Sequence, residues 1–332
     1  MEYRLNSTPV RTSNNYGIND ILLDLDMKEY KEFSKFKIDG IDYKEYDRDM
    51  FTSRIGLSFN RCHRLDIKVE KDSNVKIIYD DNKDLIDEIF IELNENTDSN
   101  IIIKYASKND IFHHLKLIIN GRKNSHSNIS IINLLSNNSK SFIATEKYLD
   151  YNANVEVNFI DLSGNIRVSN YYVKLSNEKS ISKLNNIFMG NDNDLIDMNY
   201  YVILNSKKTE GYINAQGSLN GYSHKSFKGT IDFLEGSSKS IGKEYENTVL
   251  LSDNVKSKSL PMLLCHEEDV IGAHGVSSGK INPEKLFYVM SRGIDEEAAK
   301  KLIIKSNFNE IISKINDDNI KDEVINFIDK NI

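Results

Sequence analysis

The sequence predicts a mainly β protein that ends in a small helical region, and three observations carry that prediction. Short stretches rich in β-formers recur about every 10 to 14 residues from roughly residue 60 to residue 275. Clusters of Asn, Asp, Ser and Gly separate them, and nothing helical interrupts the series. After residue 281 the pattern changes sharply to helix starts and stops.

In chain order, residues 1–55 read as a short mixed lead-in, with a turn-like Asn14-Asn15-Tyr16-Gly17 and an apolar patch at Ile21, Leu22, Leu23 and Leu25. Residues 56–280 carry the strands, for example 65–69, 75–79, 89–93, 101–105, 115–119, 129–132 and 155–159, in which apolar residues alternate or run continuously. The intervening segments, such as 94–100, suit turns because Asn, Asp and Ser side chains hydrogen-bond their own backbone. So many short strands without helices leave three architectures: a sandwich, a barrel, or a solenoid whose coils stack on one another. Period alone does not choose among them, although the coil-like spacing and about 210 strand-rich residues favour the solenoid.

Residues 281–332 form the predicted helical region. Asn282 caps a helix whose body is 286–292, Pro283 presets its first turn, and Gly293 ends it. A second helix starts after Asp295, with Glu296 and Glu297 at its positive end, and carries Leu302, Ile303, Phe308, Ile311 and Ile315. A third carries Ile320, Val324, Ile325, Phe327 and Ile328. Some 50 residues are too few to fold alone, so this region is expected to dock on the strand body or on a partner.

Composition narrows the function classes. With 43 basic and 50 acidic residues interleaved along 332, a net charge of -7 disfavours nucleic acid and anionic membranes as partners. The mean hydropathy of -0.48 goes with 17 Tyr and 14 Phe to bury, which indicates a folded, soluble chain. The two cysteines, Cys62 and Cys265, exclude a disulfide framework or a self-sufficient four-thiolate site. The N-terminus lacks a secretory pattern and no run approaches 18 apolar residues, so the expected location is cytoplasmic.

Catalytic motifs fail on inspection. The segment 236–244 resembles a phosphate-binding loop, but five residues separate its glycines where four are needed, and Glu244 stands where Ser or Thr would hold magnesium. His266-Glu267-Glu268-Asp269 lacks the second histidine of a zinc-protease helix. In Cys62-His63 and in His113-His114, neighbouring strand residues point to opposite faces and cannot chelate together. No Gly-x-Ser-x-Gly elbow occurs, no pair of carboxylates stands out for sugar cleavage, and Trp, a common sugar-stacking residue, is absent.

One stretch differs in kind. Leu250-Leu251-Ser252-Asp253, Pro261-Met262-Leu263, Glu268-Asp269-Val270, Ala273-His274-Gly275, Leu286-Phe287-Tyr288 and Ser291-Arg292-Gly293-Ile294 follow one another over 45 residues. In order and spacing they resemble the C-terminal signature of the SufB/SufD family of the SUF iron-sulfur cluster assembly system, most like its SufD branch. Phe227-Lys228-Gly229-Thr230-Ile231 looks like the strand that precedes this signature, and Pro9-Val10-Arg11-Thr12 is weakly similar to an N-terminal motif of some SufD-like members.

The resemblance implies a right-handed parallel β-helix core over 56–280 and an ATPase-docking helical region over 281–332. It implies a non-catalytic scaffold that pairs with a SufB-like homologue and docks the SufC-like ABC ATPase, without a stably bound cofactor. An iron-sulfur cluster or iron would be held only transiently, at a subunit interface. His274 falls where SufD-like members carry an interface histidine and SufB-like members a cysteine, so it is the candidate cluster or interface ligand. Leu286, Phe287, Tyr288 and Arg292 fall in the ATPase-docking helix. Cys265 lies nine residues before His274, off the SufB-type cysteine position, and reads as a buried strand thiol and the weaker metal candidate. Leu264 replaces a common Glu and Glu244 a common Gln, which leaves those two positions without an assigned role. A homodimeric SufB/SufD-like scaffold, against which the paucity of thiols stands, and a carbohydrate-active β-solenoid enzyme are the alternatives.

Overall fold

The computed structural model describes residues 2–7, 22–24 and 36–332. It is a two-sided β-solenoid in which successive strands alternate between two sheets, so each coil contributes one strand to each. Each sheet holds eight parallel strands and one antiparallel strand. Asp98, His126, Asn154, Ile181, Glu210 and Ile241 share one position on successive coils, so a coil takes 27 to 31 residues here. The strand spacing seen in the sequence is therefore half a coil. The solenoid is the architecture that remains of the three.

Turn chemistry sets the corners. Asn96, Asn124, Asn152, Lys179, Lys208 and Lys239 recur once per coil with positive φ, between 55° and 62°. Asparagine tolerates this left-handed conformation better than most residues. Each also donates its backbone N–H to a carbonyl of the next coil, as Asn124 does to Tyr151 at 3.1 Å. The side chains form a ladder, Asn152 donating to Asn124 at 3.0 Å and Asn124 to Asn96 at 2.9 Å. Polar corners thus bond between coils as well as within them.

The interior is one continuous apolar cluster that runs from Phe36 and Leu65 to Phe233. The strands of the sheet containing Asp98–Ala106 read as apolar runs because both faces are covered. On its outer face Ile102, Ile132, Ile160, Ile187 and Met189 pack against Ile304, Phe308, Ile311, Ile320, Val324 and Ile328 of two C-terminal helices. We number the helices α1 (Pro283–Met290), α2 (Glu296–Ile312) and α3 (Asp318–Asn331). Helices α2 and α3 dock on the strand body, ion pairs Lys104–Glu323 and Lys76–Asp317 fasten the edges of that contact, and Lys305–Asp329 ties α2 to α3. The caps are as expected: Asn282 accepts from the Glu284 N–H at 2.8 Å, and Asp295 from that of Ala298 at 2.9 Å. Helix α1 starts three residues before the expected 286 and ends at Met290 rather than 292, because the Asn282 cap and Pro283 set the first turn directly.

The N-terminal end of the solenoid is closed. Strand Lys37–Asp39 pairs antiparallel with Ser73–Asp80, and Tyr43–Thr52 pairs antiparallel with Ser58–Val69. Phe36 enters the interior, stacking on His63 at 5.3 Å between ring centroids and meeting Tyr79 and Tyr105 edge-on. The backbone of 2–4 pairs antiparallel with that of 22–24. Asn6 binds the outside of the second sheet, donating to the Ser169 carbonyl and Asp197 Oδ1, both at 3.0 Å. The lead-in motifs Pro9-Val10-Arg11-Thr12 and Asn14-Asn15-Tyr16-Gly17, and Ile21 and Leu25 of the apolar patch, lie outside the described residues.

Candidate functional site

The C-terminal end of the solenoid is built differently. Its last coil is Lys256–Cys265 and Val270–Gly279, each the terminal strand of its sheet. Both pair on one side only, with His224–Phe233 and Ser240–Leu250. The outer edge of each ten-residue strand therefore has no neighbouring strand among the described residues. A long unprotected edge of this kind is a template for another strand. The side chains agree, since none on either strand is buried and Leu264, Ile271 and Val276 are exposed apolar groups.

Register places His274 at this end. One inward-facing position reads Ile101, Ile129, Val157, Leu184 and Ile213 through successive coils, then Glu244, then His274. His274 has the inward phase of its strand yet is exposed, because no further coil stacks upon it. Cys265 ends a second inward position, after Leu175, Leu204 and Phe233. The expectation of a buried thiol at Cys265 is therefore corrected: it is exposed for the same reason, with its Sγ 3.1 Å from the Glu267 carbonyl. His274 and Cys265 lie on different sheets, and among the described residues no cluster of three His, Cys, Asp or Glu groups could hold a metal.

Beneath the last coil the interior turns polar, which motif reasoning missed. Lys225 and Glu246 form a fully buried ion pair, Nζ to Oε1 2.7 Å, and Ser259 donates to the other Glu246 oxygen at 2.7 Å. Burial pushes the Lys225 amine below its ordinary value, and Glu246 opposes that shift. Glu244 is fully buried and neither of its oxygens has a hydrogen-bond partner among the described residues. Burial, and then the nearby Glu246 charge, raise its carboxyl to about 8. The sequence held a signal: strands aligned one coil apart put Glu244 in the slot of Ile213.

Of the four residues expected to dock an ATPase, Leu286, Phe287 and Tyr288 lie on α1 and Arg292 follows its C-terminal end. Phe287 is 74% exposed, Tyr288 60%, and Leu286 is half-buried. The Arg292 guanidinium lies 5.2 Å from the Tyr288 ring centroid and donates to its hydroxyl at 2.9 Å. No residue of α1 is buried, in contrast with α2 and α3.

The rejected motifs are structural. Residues 236–239 are a turn and 240–244 enter a strand. His266 to Asp269 form the turn inside the last coil. Cys62 belongs to a small outer apolar cluster, whereas His63 packs inward on Phe36. Likewise His113 stacks inside on Tyr105, and the His114 Nε2 lies 2.9 Å from Ser53 Oγ on the outside.

Comparison with known proteins follows the same course. The family model for the SufBD core domain of SUF system FeS cluster assembly matches residues 75–307. The iron-sulfur cluster assembly protein SufD of Escherichia coli is 24% identical over 243 residues, 71% of this chain and 56% of that protein. SufD of Bacillus subtilis is 29% identical over 126 residues, 38% of this chain and 29% of that protein. A SufBD family protein of Mycobacterium leprae is 36% identical over 83 residues, 25% of this chain. The chain thus spans about half the length, or less, of the curated relatives it matches.

Proposed function

The chain belongs to the SufBD family of iron-sulfur cluster assembly proteins, and from that premise we propose that it is a SufD-like, non-catalytic scaffold subunit. In this reading it pairs with a SufB-like homologue through its last coil and docks a SufC-like ABC ATPase through α1, in the cytoplasm. No described helix is long and apolar enough to cross a membrane.

The observation that carries the reading is the asymmetry of the solenoid. One end is closed by antiparallel strands and an aromatic plug, while the other presents two bare edges with exposed Ile271 and Val276. Strand addition at such edges supplies backbone hydrogen bonds, and the exposed apolar groups supply burial. Phe287, Tyr288 and Arg292 form a second patch of the residue types that dominate interface energetics. A nascent cluster, as cargo, would be bordered at the paired ends by His274.

Co-purification of the tagged chain from its own cells, with mass spectrometry of what it retains, tests this. The expected partners are an ABC-type ATPase and a cysteine-bearing homologue. Phe287→Ala/Arg292→Ala is expected to release the ATPase and keep the homologue, and Val276→Lys to do the reverse. Each should weaken its contact about tenfold or more. Recovery of a homodimer with the ATPase would replace the heteromeric reading by a homodimeric scaffold. Recovery of the chain alone at mild salt would overturn both.

A further inference from the structure

The coil beneath the open end buries a charge pair that the fold does not require. Lys225 and Glu246 take inward slots that the coil before theirs fills with Ile196 and Ala215. Desolvating two charges is expensive, and apolar residues in their place are often neutral or stabilising, so such a pair is weak evidence for stability. Its best-attested use is to fix register.

What this pair touches is the terminal strand. Ser259, half-buried, stands in the inward slot that upstream coils fill with Met198 and Phe227. The Lys225 ammonium donates to Ser259 Oγ at 2.7 Å, and that hydroxyl donates in turn to Glu246 Oε2 at 2.7 Å. Lys225 also donates to Glu246 Oε1 at 2.7 Å, and the Thr248 hydroxyl donates to the same oxygen. Ser259 is thus one corner of a closed triangle whose other two corners are buried in the coil below. Hydrogen bonds to charged groups are about twice as strong as neutral ones. No residue of Lys256–Cys265 is itself buried, and its backbone is paired along one side only, so the burial that fixes the inner strands holds this one weakly.

We propose that Lys225 and Glu246 are positioning residues that clamp the strand Lys256–Cys265 from inside through Ser259 and present its free edge, in register, to a strand of the paired subunit. This rests on the reading of the last coil as the pairing face. Fixing a backbone costs conformational entropy, so an edge that is already ordered binds more tightly than a frayed edge of the same sequence.

Hydrogen exchange of the free full chain, followed by mass spectrometry of peptides that cover 256–265, tests the clamp. Retention of the cysteine-bearing homologue by the tagged chain tests its use. Ser259→Ala keeps the ion pair and cuts its link to the strand. Lys225→Ile/Glu246→Ala gives the two slots the residues of the preceding coil, removing both charges so that neither is left unpaired. Each is expected to speed exchange across 256–265 about tenfold or more and to weaken retention of the homologue by a similar factor, with little change in the urea midpoint. Ser259→Ala decides the matter if the double variant misfolds. Lys147→Met removes another fully buried ammonium, which donates to the Val155 carbonyl at 2.7 Å far from the last coil, and should alter neither readout. Unchanged exchange across 256–265 in Ser259→Ala overturns the clamp, and faster exchange with undiminished retention of the homologue overturns its role in pairing. Wild type that retains no homologue sinks the pairing reading instead, and the clamp is then judged on exchange alone.

Discussion

The two ends of this solenoid are made from the same kind of strand and treated in opposite ways. At the N-terminal end Phe36 packs into the interior against His63, Tyr79 and Tyr105, and two antiparallel strands finish the sheets. At the C-terminal end Leu263, Cys265 and His274 hold the same inward phase and remain partly or fully exposed. In a stacked fold, a side chain is buried by the coils on either side of it, and the pattern of its own strand only says which way it points. An end without a plug therefore leaves the inward-facing side chains of its last coil uncovered.

This contrast can be broken or sharpened by experiment. The largest difference is expected in stability. Phe36→Ala removes a buried aromatic and should cost about 3–5 kcal/mol, whereas Leu263→Ala, half-buried on the last coil, should cost about 1 kcal/mol. Urea denaturation of the two variants measures this, and equal losses would mean that the C-terminal end is closed in solution.

A buried histidine gives the next effect, one that the exposed last coil does not share. Burial holds the His114 imidazole down at about 3. Between the ordinary value near 6.5 and about 3, the unfolded chain takes up a proton that the folded chain does not, so this group removes stability as pH falls through that window. From pH 7 to pH 4.5 the loss is expected to be about 2 kcal/mol, and His114→Gln should flatten it.

The smallest effect is chemical. Burial pushes the Cys62 thiol up to about 11, while Cys265 is exposed. A thiol reagent at pH 8 should modify one cysteine in the native chain, lost in Cys265→Ser, and the second only after denaturation. Protection of Cys265 in the co-purified assembly would place that strand inside the interface.

Much of this arrangement was legible before the fold was known. The strand series, the Asn-rich corners and the capped C-terminal helices follow from local chemistry: alternation, tolerance of positive φ, and side chains that satisfy free N–H groups. The motif blocks between Leu250 and Ile294 pointed to the family and to His274. Cys265 was misjudged because an inward phase normally means burial, and the terminal coil is where that inference fails. Glu244 was left without a role because only the register of strands one coil apart shows that it stands in a slot which the earlier coils fill with apolar residues.

The amino-acid sequence by itself determined where strands, corners and helices lie and which face of each strand turns inward, because those properties depend on neighbours a few residues away. Only the tertiary structure decided which inward residues are covered, that α2 and α3 pack on the solenoid's side and leave its last coil bare, and that Glu244 lies beneath His274. Those outcomes depend on contacts between coils some 30 residues apart and between the helices and distant strands, and no local pattern encodes which of those surfaces meet.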